Sequence, residues 1–181
     1  MFEQTDEKLI QKAVKGNKSA WLKLIKRYEK QMYNYALRMV GNADDALDVM
    51  QEVFISVFRN LASYRGEGAF KSWLYRIAHF RVIEFYRRKR PMQSLDDTPE
   101  QVSEPHFCPE NNLQYSQQGQ QLAMAMQSLP LAQKSVVELK FFGEFTFDEI
   151  AEQLGISSNT AKSRLYSGLD KLKVVMEMDY V

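Results

Sequence analysis

The chain has one cysteine, two histidines and five prolines in 181 residues. A lone Cys108 excludes an internal disulfide and any zinc site built on several thiolates. His79 and His106 leave a catalytic or metal centre little material, so we expect no cofactor and no small-molecule substrate. His106 and Cys108 are two potential ligands in one short stretch, too few to close a metal site. No apolar run approaches the ~20 residues of a membrane-spanning helix. Met1 to Glu7 is acidic and lacks the basic-then-apolar order of a signal peptide. We therefore expect a cytoplasmic protein with no membrane insertion. An excess of one charge is also missing: 24 Lys plus Arg face 23 Asp plus Glu, for a net charge of +1. That balance argues against general adhesion to polyanions, although a local patch stays possible. With 45% apolar and 26% charged residues, the composition is that of a globular protein.

The prolines punctuate the chain unevenly. Pro91, Pro99, Pro105 and Pro109 fall within 91–120, a stretch with five acidic residues and no Lys or Arg. It has few apolar residues and no helical period, so burial cannot offset its ordering entropy. The sequence thus predicts two small helical domains, 1–91 and 120–181, joined by a flexible acidic linker over 92–119.

Both halves read as helical. Leu9, Ile10, Ala13 and Val14 recur at helical spacing, and Gly16 is placed to end that helix. Asn17 can cap a second, with Ala20, Trp21, Leu24, Ile25 and Tyr28 on its apolar face, continued by Tyr33, Ala36, Leu37 and Val40. Leu47, Val49, Val53, Phe54, Val57, Phe58 and Leu61 mark a third from about Asp44. The glycines of Tyr64-Arg65-Gly66-Glu67-Gly68 break the period, and Phe70, Trp73, Leu74, Ile77, Ala78 and Val82 resume it. No segment alternates as a strand does, so the expected fold is all-α.

The most specific local signal lies near the end. Thr146 followed by Glu149 is a capping box, and Ile150, Ala151 and Leu154 form a buried stripe. Gly155 permits a sharp turn, and Ser157 can cap a further helix with Ala161, Leu165, Leu169 and Leu172 inside. Ser158, Asn159, Thr160, Lys162, Ser163 and Arg164 remain at its exposed start. Such side chains donate to phosphates and read base edges, and two packed helices joined by a short turn have the geometry of a helix-turn-helix.

Two other surfaces stand out. Asp48, Gln51 and Glu52 share one face of the third helix, which spacing alone reads as a solvated face. Residues 71–90 carry seven basic groups and one acid, with Trp73, Tyr75, Phe80, Phe85 and Tyr86 interleaved. Some of these rings must be core, and basic groups suit a helix C-terminus. Basic groups beside stacking aromatics equally describe a single-strand-binding surface.

In this order the pieces resemble the extracytoplasmic-function (ECF) subfamily of bacterial RNA polymerase sigma factors. Asp45-Ala46-Leu47-Asp48-Val49-Met50-Gln51-Glu52-Val53-Phe54 is similar to their core-binding segment. Tyr64 to Ala78 is similar to the promoter-melting, minus-ten-reading segment. Leu129-Pro130, Phe147 to Ala151 and Ser157 to Leu165 resemble the minus-thirty-five-reading domain.

The resemblance implies roles that composition could not supply. Leu47, Asp48, Gln51 and Glu52 would meet the clamp helices of the largest subunit of core RNA polymerase. Tyr64, Arg65, Gly66, Glu67, Gly68, Ala69 and Phe70 would take up a base flipped from the non-template strand, with Trp73 and Phe80 beside it. Arg76, Arg81, Arg87 and Arg88 would hold the adjacent backbone. Ser158, Asn159, Thr160, Lys162, Ser163 and Arg164 would read the upstream promoter DNA. The linker would run towards the polymerase RNA channel, and an anti-sigma factor would be a further partner. The protein would be no enzyme; polymerase supplies the chemistry. Two departures matter: Phe80 stands where the family often has Asn, which leaves the minus-ten preference open. Tyr166-Ser167-Gly168 also replaces frequent basic residues, which removes phosphate contacts. The competing reading is a stand-alone helix-turn-helix regulator that binds operator DNA without polymerase.

Overall fold

The structure is a computed structural model that describes residues 5–66, 68–89 and 117–178, all helical or connecting. Most of the expected linker, including His106 and Cys108, lies outside the described residues, as do Glu67 and Arg90. Among the described residues eight α-helices follow one another: α1 Asp6–Val14, α2 Lys18–Val40, α3 Ala43–Asn60, α4 Phe70–Lys89, α5 Gln117–Gln127, α6 Leu131–Phe141, α7 Phe147–Leu154 and α8 Ser158–Met178. A single 3-10 turn, Leu61–Ser63, closes α3. The chain is helical from Gln117, three residues inside the stretch assigned from composition to the linker.

Local chemistry explains the boundaries. The Asn17 side chain accepts the Ala20 N–H at 2.9 Å, and the Asn42 side chain accepts from Asp44 and Asp45 at 2.9 and 3.1 Å. Each satisfies donors that a helix start leaves unpaired. The capping box at α7 is present in full: the Thr146 N–H donates to Glu149 at 2.7 Å, and the Glu149 N–H donates to Thr146 Oγ1 at 3.2 Å. Gly155 follows at φ +64°, a left-handed turn that a side chain would strain.

In the N-terminal half α2 packs against α1 and α3, and α4 packs on α3. In the C-terminal half α8 is the base on which α6 and α7 rest. The apolar core runs on between the halves, because α2 also carries α5 and α6 on its C-terminal turns. A ladder of rings crosses the junction: Tyr35 meets Tyr75 edge-on at 5.4 Å, and Tyr75 meets Phe145 at 5.2 Å. The two helical halves thus share one packed seam.

Two apolar positions read on the helical stripes, Val14 and Phe58, are exposed. Phe58 is 61% exposed, whereas Val49, Val53 and Val57 on the opposite face of α3 are buried. The apolar set on α3 is wider than one buried stripe, so periodicity alone could not separate its two edges.

Candidate functional site

Three surfaces carry the residues of interest. The first is the polar stripe of α3. Asp48 and Gln51 point to solvent, while Leu47 is half-buried against the core. Glu52 is not free: Arg88 grips its carboxylate with two hydrogen bonds of 2.9 and 2.8 Å. That grip holds the Glu52 carboxyl below the usual range. Lys89 binds Asp45 at 2.6 Å in the same way. The basic end of α4 is thereby folded back on the acidic edge of α3, which brings a candidate polymerase contact and a candidate DNA contact into one ion pair. One turn further along α3, Ile55 and Phe58 extend the exposed stripe with apolar surface, and Phe58 packs on Trp21 at 5.2 Å. The sequence reading marks Phe58 only as an apolar position of α3 and does not single out Ile55; the signal that joins them is the repeat 48, 51, 55, 58 along one helical face.

The second surface is the 64–70 loop and the outer face of α4. Tyr64, Phe70 and Trp73 form a three-ring cluster with centroids 5.2 to 5.7 Å apart. Phe70 is buried, so it supports the loop from below, while Arg65, Gly66, Gly68 and Ala69 are exposed. The Tyr64 hydroxyl donates to the Gly68 carbonyl at 2.8 Å and closes the loop on itself. Beyond it lies a cleft of about 310 Å³ lined by Ser56, Asn60, Arg76, Ile77, Phe80 and Arg81. Phe80 is 56% exposed at this cleft, an aromatic ring of the kind on which a base can stack. Arg81 is held by Ser56 Oγ at 2.8 Å and Glu84 at 2.5 Å, with its guanidinium over the Phe80 ring at 5.6 Å from the centroid. Arg87 is exposed and lies 3.5 Å from Glu84, and Arg76 reaches Glu152 of α7 at 3.2 Å. His79 is pushed down to about 4 by burial, so it is a neutral packing residue of α4 at pH 7.

The third surface is the start of α8. Ser157 Oγ accepts the Thr160 N–H at 3.0 Å and lies 2.8 Å from the Thr160 hydroxyl, so Thr160 is engaged in the cap. Ser158 donates to Asp148 on α7, which ties the two helices together. Asn159, Lys162 and Ser163 face solvent and Arg164 is half-buried. Exposed side chains at the N-terminal end of the second helix are what a major groove accepts. Among the described residues no cluster of His, Cys, Asp or Glu could hold a metal ion, and no helix is long and apolar enough to cross a membrane.

Comparison with known proteins accounts for both halves. Residues 24–91 match the family model of sigma-70 region 2, and residues 119–172 match sigma-70 region 4. The ECF RNA polymerase sigma factor SigW of Bacillus subtilis is 29% identical over 95% of this chain and 97% of its own length. The ECF RNA polymerase sigma-E factor of Escherichia coli is 30% identical over 92% of each chain. Among solved structures, CnrH in complex with the cytosolic domain of CnrY superposes at a TM-score of 0.69, with 20% identity over 96% of this chain and 98% of that one. RpoE in complex with the anti-sigma factor NepR from Bartonella quintana gives 0.64, with 17% identity over 86% and 95%. With both regions matched in order along the chain and relatives of 30% identity matched along nearly their whole length, the protein belongs to the ECF sigma factors, which bind RNA polymerase, direct promoter-specific initiation and catalyse nothing themselves.

Proposed function

We propose that the three surfaces divide the work of initiation, with 1–91 as the domain for core binding and minus-ten DNA, 92–119 as the linker and 120–181 as the minus-thirty-five domain. The observation that carries this reading is that one chain presents a polar-then-apolar stripe on α3, a basic aromatic face on α4 and a helix-turn-helix, each turned to solvent. Asp48 and Gln51, extended by Ile55 and Phe58, dock on the clamp helices of core RNA polymerase, with Leu47 beneath and Glu52 at the edge. Arg65 to Ala69 form the loop around an extruded base, braced by Tyr64, Phe70 and Trp73, while Phe80 offers a stacking face. Arg76, Arg81, Arg87 and Arg88 hold phosphates. Asn159, Lys162, Ser163 and Arg164 read the upstream duplex, with Ser158 and Thr160 fixing the helix start.

Mechanistically the chain traps what thermal opening supplies. Each unpaired base held on an aromatic face gains about 1–3 kcal/mol, which shifts the duplex towards the melted state. The linker keeps the second domain at high effective concentration once polymerase has fixed the first. The protein works in the cytoplasm, where polymerase works, and an anti-sigma factor is a partner as it is for the Bartonella RpoE. Run-off transcription with reconstituted core polymerase tests the proposal: promoter-dependent product is expected with holoenzyme and none with core alone. Tight binding of the free chain to a palindromic operator, with no product from holoenzyme, would establish the stand-alone regulator instead.

A further inference from the structure

The first helix lies outside the part of the chain that matches the family. The region 2 match begins at residue 24, whereas α1 covers Asp6–Val14. Yet α1 is fastened by its first residue to the base of the 64–70 loop. One carboxylate oxygen of Asp6 accepts from the Tyr28 hydroxyl and the other from Arg27, both on α2. Tyr28 is 8% exposed, and its ring meets Phe70 edge-on at 5.4 Å. Phe70 carries the Tyr64 and Trp73 rings, each at 5.7 Å. The helix also packs on the turn Leu61–Ser63 that leads into the loop. The Tyr64 phenol is raised by burial and by the Glu7 and Asp6 carboxylates, so the start of α1 lies within electrostatic reach of the loop.

We propose that Asp6 is a positioning residue for the minus-ten site: through Tyr28 it sets the Phe70, Tyr64 and Trp73 rings that shape the loop for an extruded base. The proposal rests on the reading of that loop given above. Its first support is that the loop has little of its own to hold it. Gly66 and Gly68 stand at φ +73° and +82°, and a Cβ on either would meet no atom within 4 Å. The loop therefore takes its position from the Tyr64–Gly68 hydrogen bond and from the rings beneath it. Ring packing is directional, so a rotation of Tyr28 is passed to Phe70 and on to its neighbours. A charge-assisted hydrogen bond to Asp6 opposes that rotation more strongly than a neutral acceptor would.

The second support is the placement of the charge. A carboxylate beside a surface that holds single-stranded DNA repels phosphates. Here both Asp6 oxygens are engaged, one by a guanidinium, and the side chain is 21% exposed. A carboxylate serving only its own helix would stay on the unpaired N–H groups of the first turn. Asp6 instead reaches across to α2, to the one tyrosine that touches Phe70.

The test uses holoenzyme reconstituted with the full chain and non-template-strand oligonucleotides spanning the minus-ten element of a promoter it transcribes. The strands are intact or carry one abasic site, placed at each position in turn. Wild type should lose about tenfold in affinity at the site that removes the extruded base. Asp6→Ala and Tyr28→Phe should each weaken the intact strand about fivefold and leave that abasic strand unchanged, which narrows the ratio. The double variant should be no weaker than either single one, because both remove the same hydrogen bond. In the free chain carrying Trp21→Phe, the Trp73 emission should move to longer wavelength in both variants as the ring cluster loosens. Should Asp6→Ala lose its helical circular dichroism, Asp6→Asn replaces it, with a smaller loss expected. A brace that served stability alone would lower the melting temperature and leave the ratio and the Trp73 emission unmoved. That result, equal loss on intact and abasic strands, or additive loss in the double variant overturns the role of Asp6. A wild type indifferent to every abasic site overturns the loop reading itself, and the role of Asp6 falls with it.

Discussion

The two halves treat their charges in opposite ways. In the N-terminal half the ion pairs are at the surface and within the domain: Arg88 with Glu52, Lys89 with Asp45 and Arg81 with Glu84. They aim side chains that we propose for polymerase and DNA contact, and all of them are at least partly exposed. In the C-terminal half Glu138 and Lys134 are buried and reach across to the other half, Glu138 to Arg38 and Lys134 to the Met39 carbonyl and the Tyr86 hydroxyl, with Gln127 of its own half as a further partner of Lys134. The first kind of pair orients a binding surface at little energetic consequence. The second kind decides whether two domains stay together, since a buried charge tolerates no missing partner. Similar residues thus serve surface preparation in one region and domain association in the other.

The comparison breaks most sharply at Arg38. Arg38→Ala strands the Glu138 carboxylate in the seam and should cost about 3–5 kcal/mol of stability, measured by urea unfolding. A loss of under about 1 kcal/mol would mean the halves do not depend on this pair. Asn159→Ala tests the outward face of the C-terminal half. It should relax upstream base discrimination in the holoenzyme by about 1–3 kcal/mol while leaving the melting temperature unchanged. Equal loss across all promoter sequences would reassign Asn159 to phosphate contact. Thr146→Ala removes the reciprocal cap of α7 and should lower stability by about 1 kcal/mol.

A pH series separates buried from surface cations. Burial pushes Lys134 down to about 8, whereas the unfolded side chain keeps its proton to the ordinary 10.5. Between those values the unfolded state binds more protons, so stability should rise as pH increases from about 8. Tyr35, Tyr75 and Tyr86 face the same seam with phenols raised by burial, so their unfolded forms ionise first and stability falls again above 10. Burial raises the Glu138 carboxyl as well, and the Arg38 guanidinium opposes that shift. The thermal midpoint should therefore peak below pH 10 in the wild type, and Lys134→Met should abolish the rise. The smallest effect belongs to the surface: Glu52→Gln should leave the melting curve unchanged but weaken core-polymerase binding. A clear destabilisation would show that the Arg88 grip is structural.

Much of this protein is legible in one dimension. Helix starts are local events, decided by Asn17, Asn42 and Thr146 within three residues of the groups they satisfy, so their positions follow from sequence. The helix-turn-helix reads equally well, since its cap, its Gly155 turn and its exposed Asn159 and Lys162 are close together in the chain. The α3 stripe was half legible: spacing placed Asp48, Gln51 and Glu52 on one face, but Arg88, 36 residues away, engages Glu52. The exposure of Phe58 was not legible, because hydrophobicity does not say which edge of a wide apolar face finds a partner.

What the sequence alone could not contain is the seam. Arg38 and Glu138 are 100 residues apart, and each is an ordinary surface residue by its type and neighbours. Only the docking of α5 and α6 on α2 removes both from water, and desolvation is a property of the assembled core rather than of any local run. The near-neutral net charge of +1 has the same character. The sequence determined that basic and acidic segments balance. The tertiary structure decided which of those charges face solvent, and which are sealed against each other.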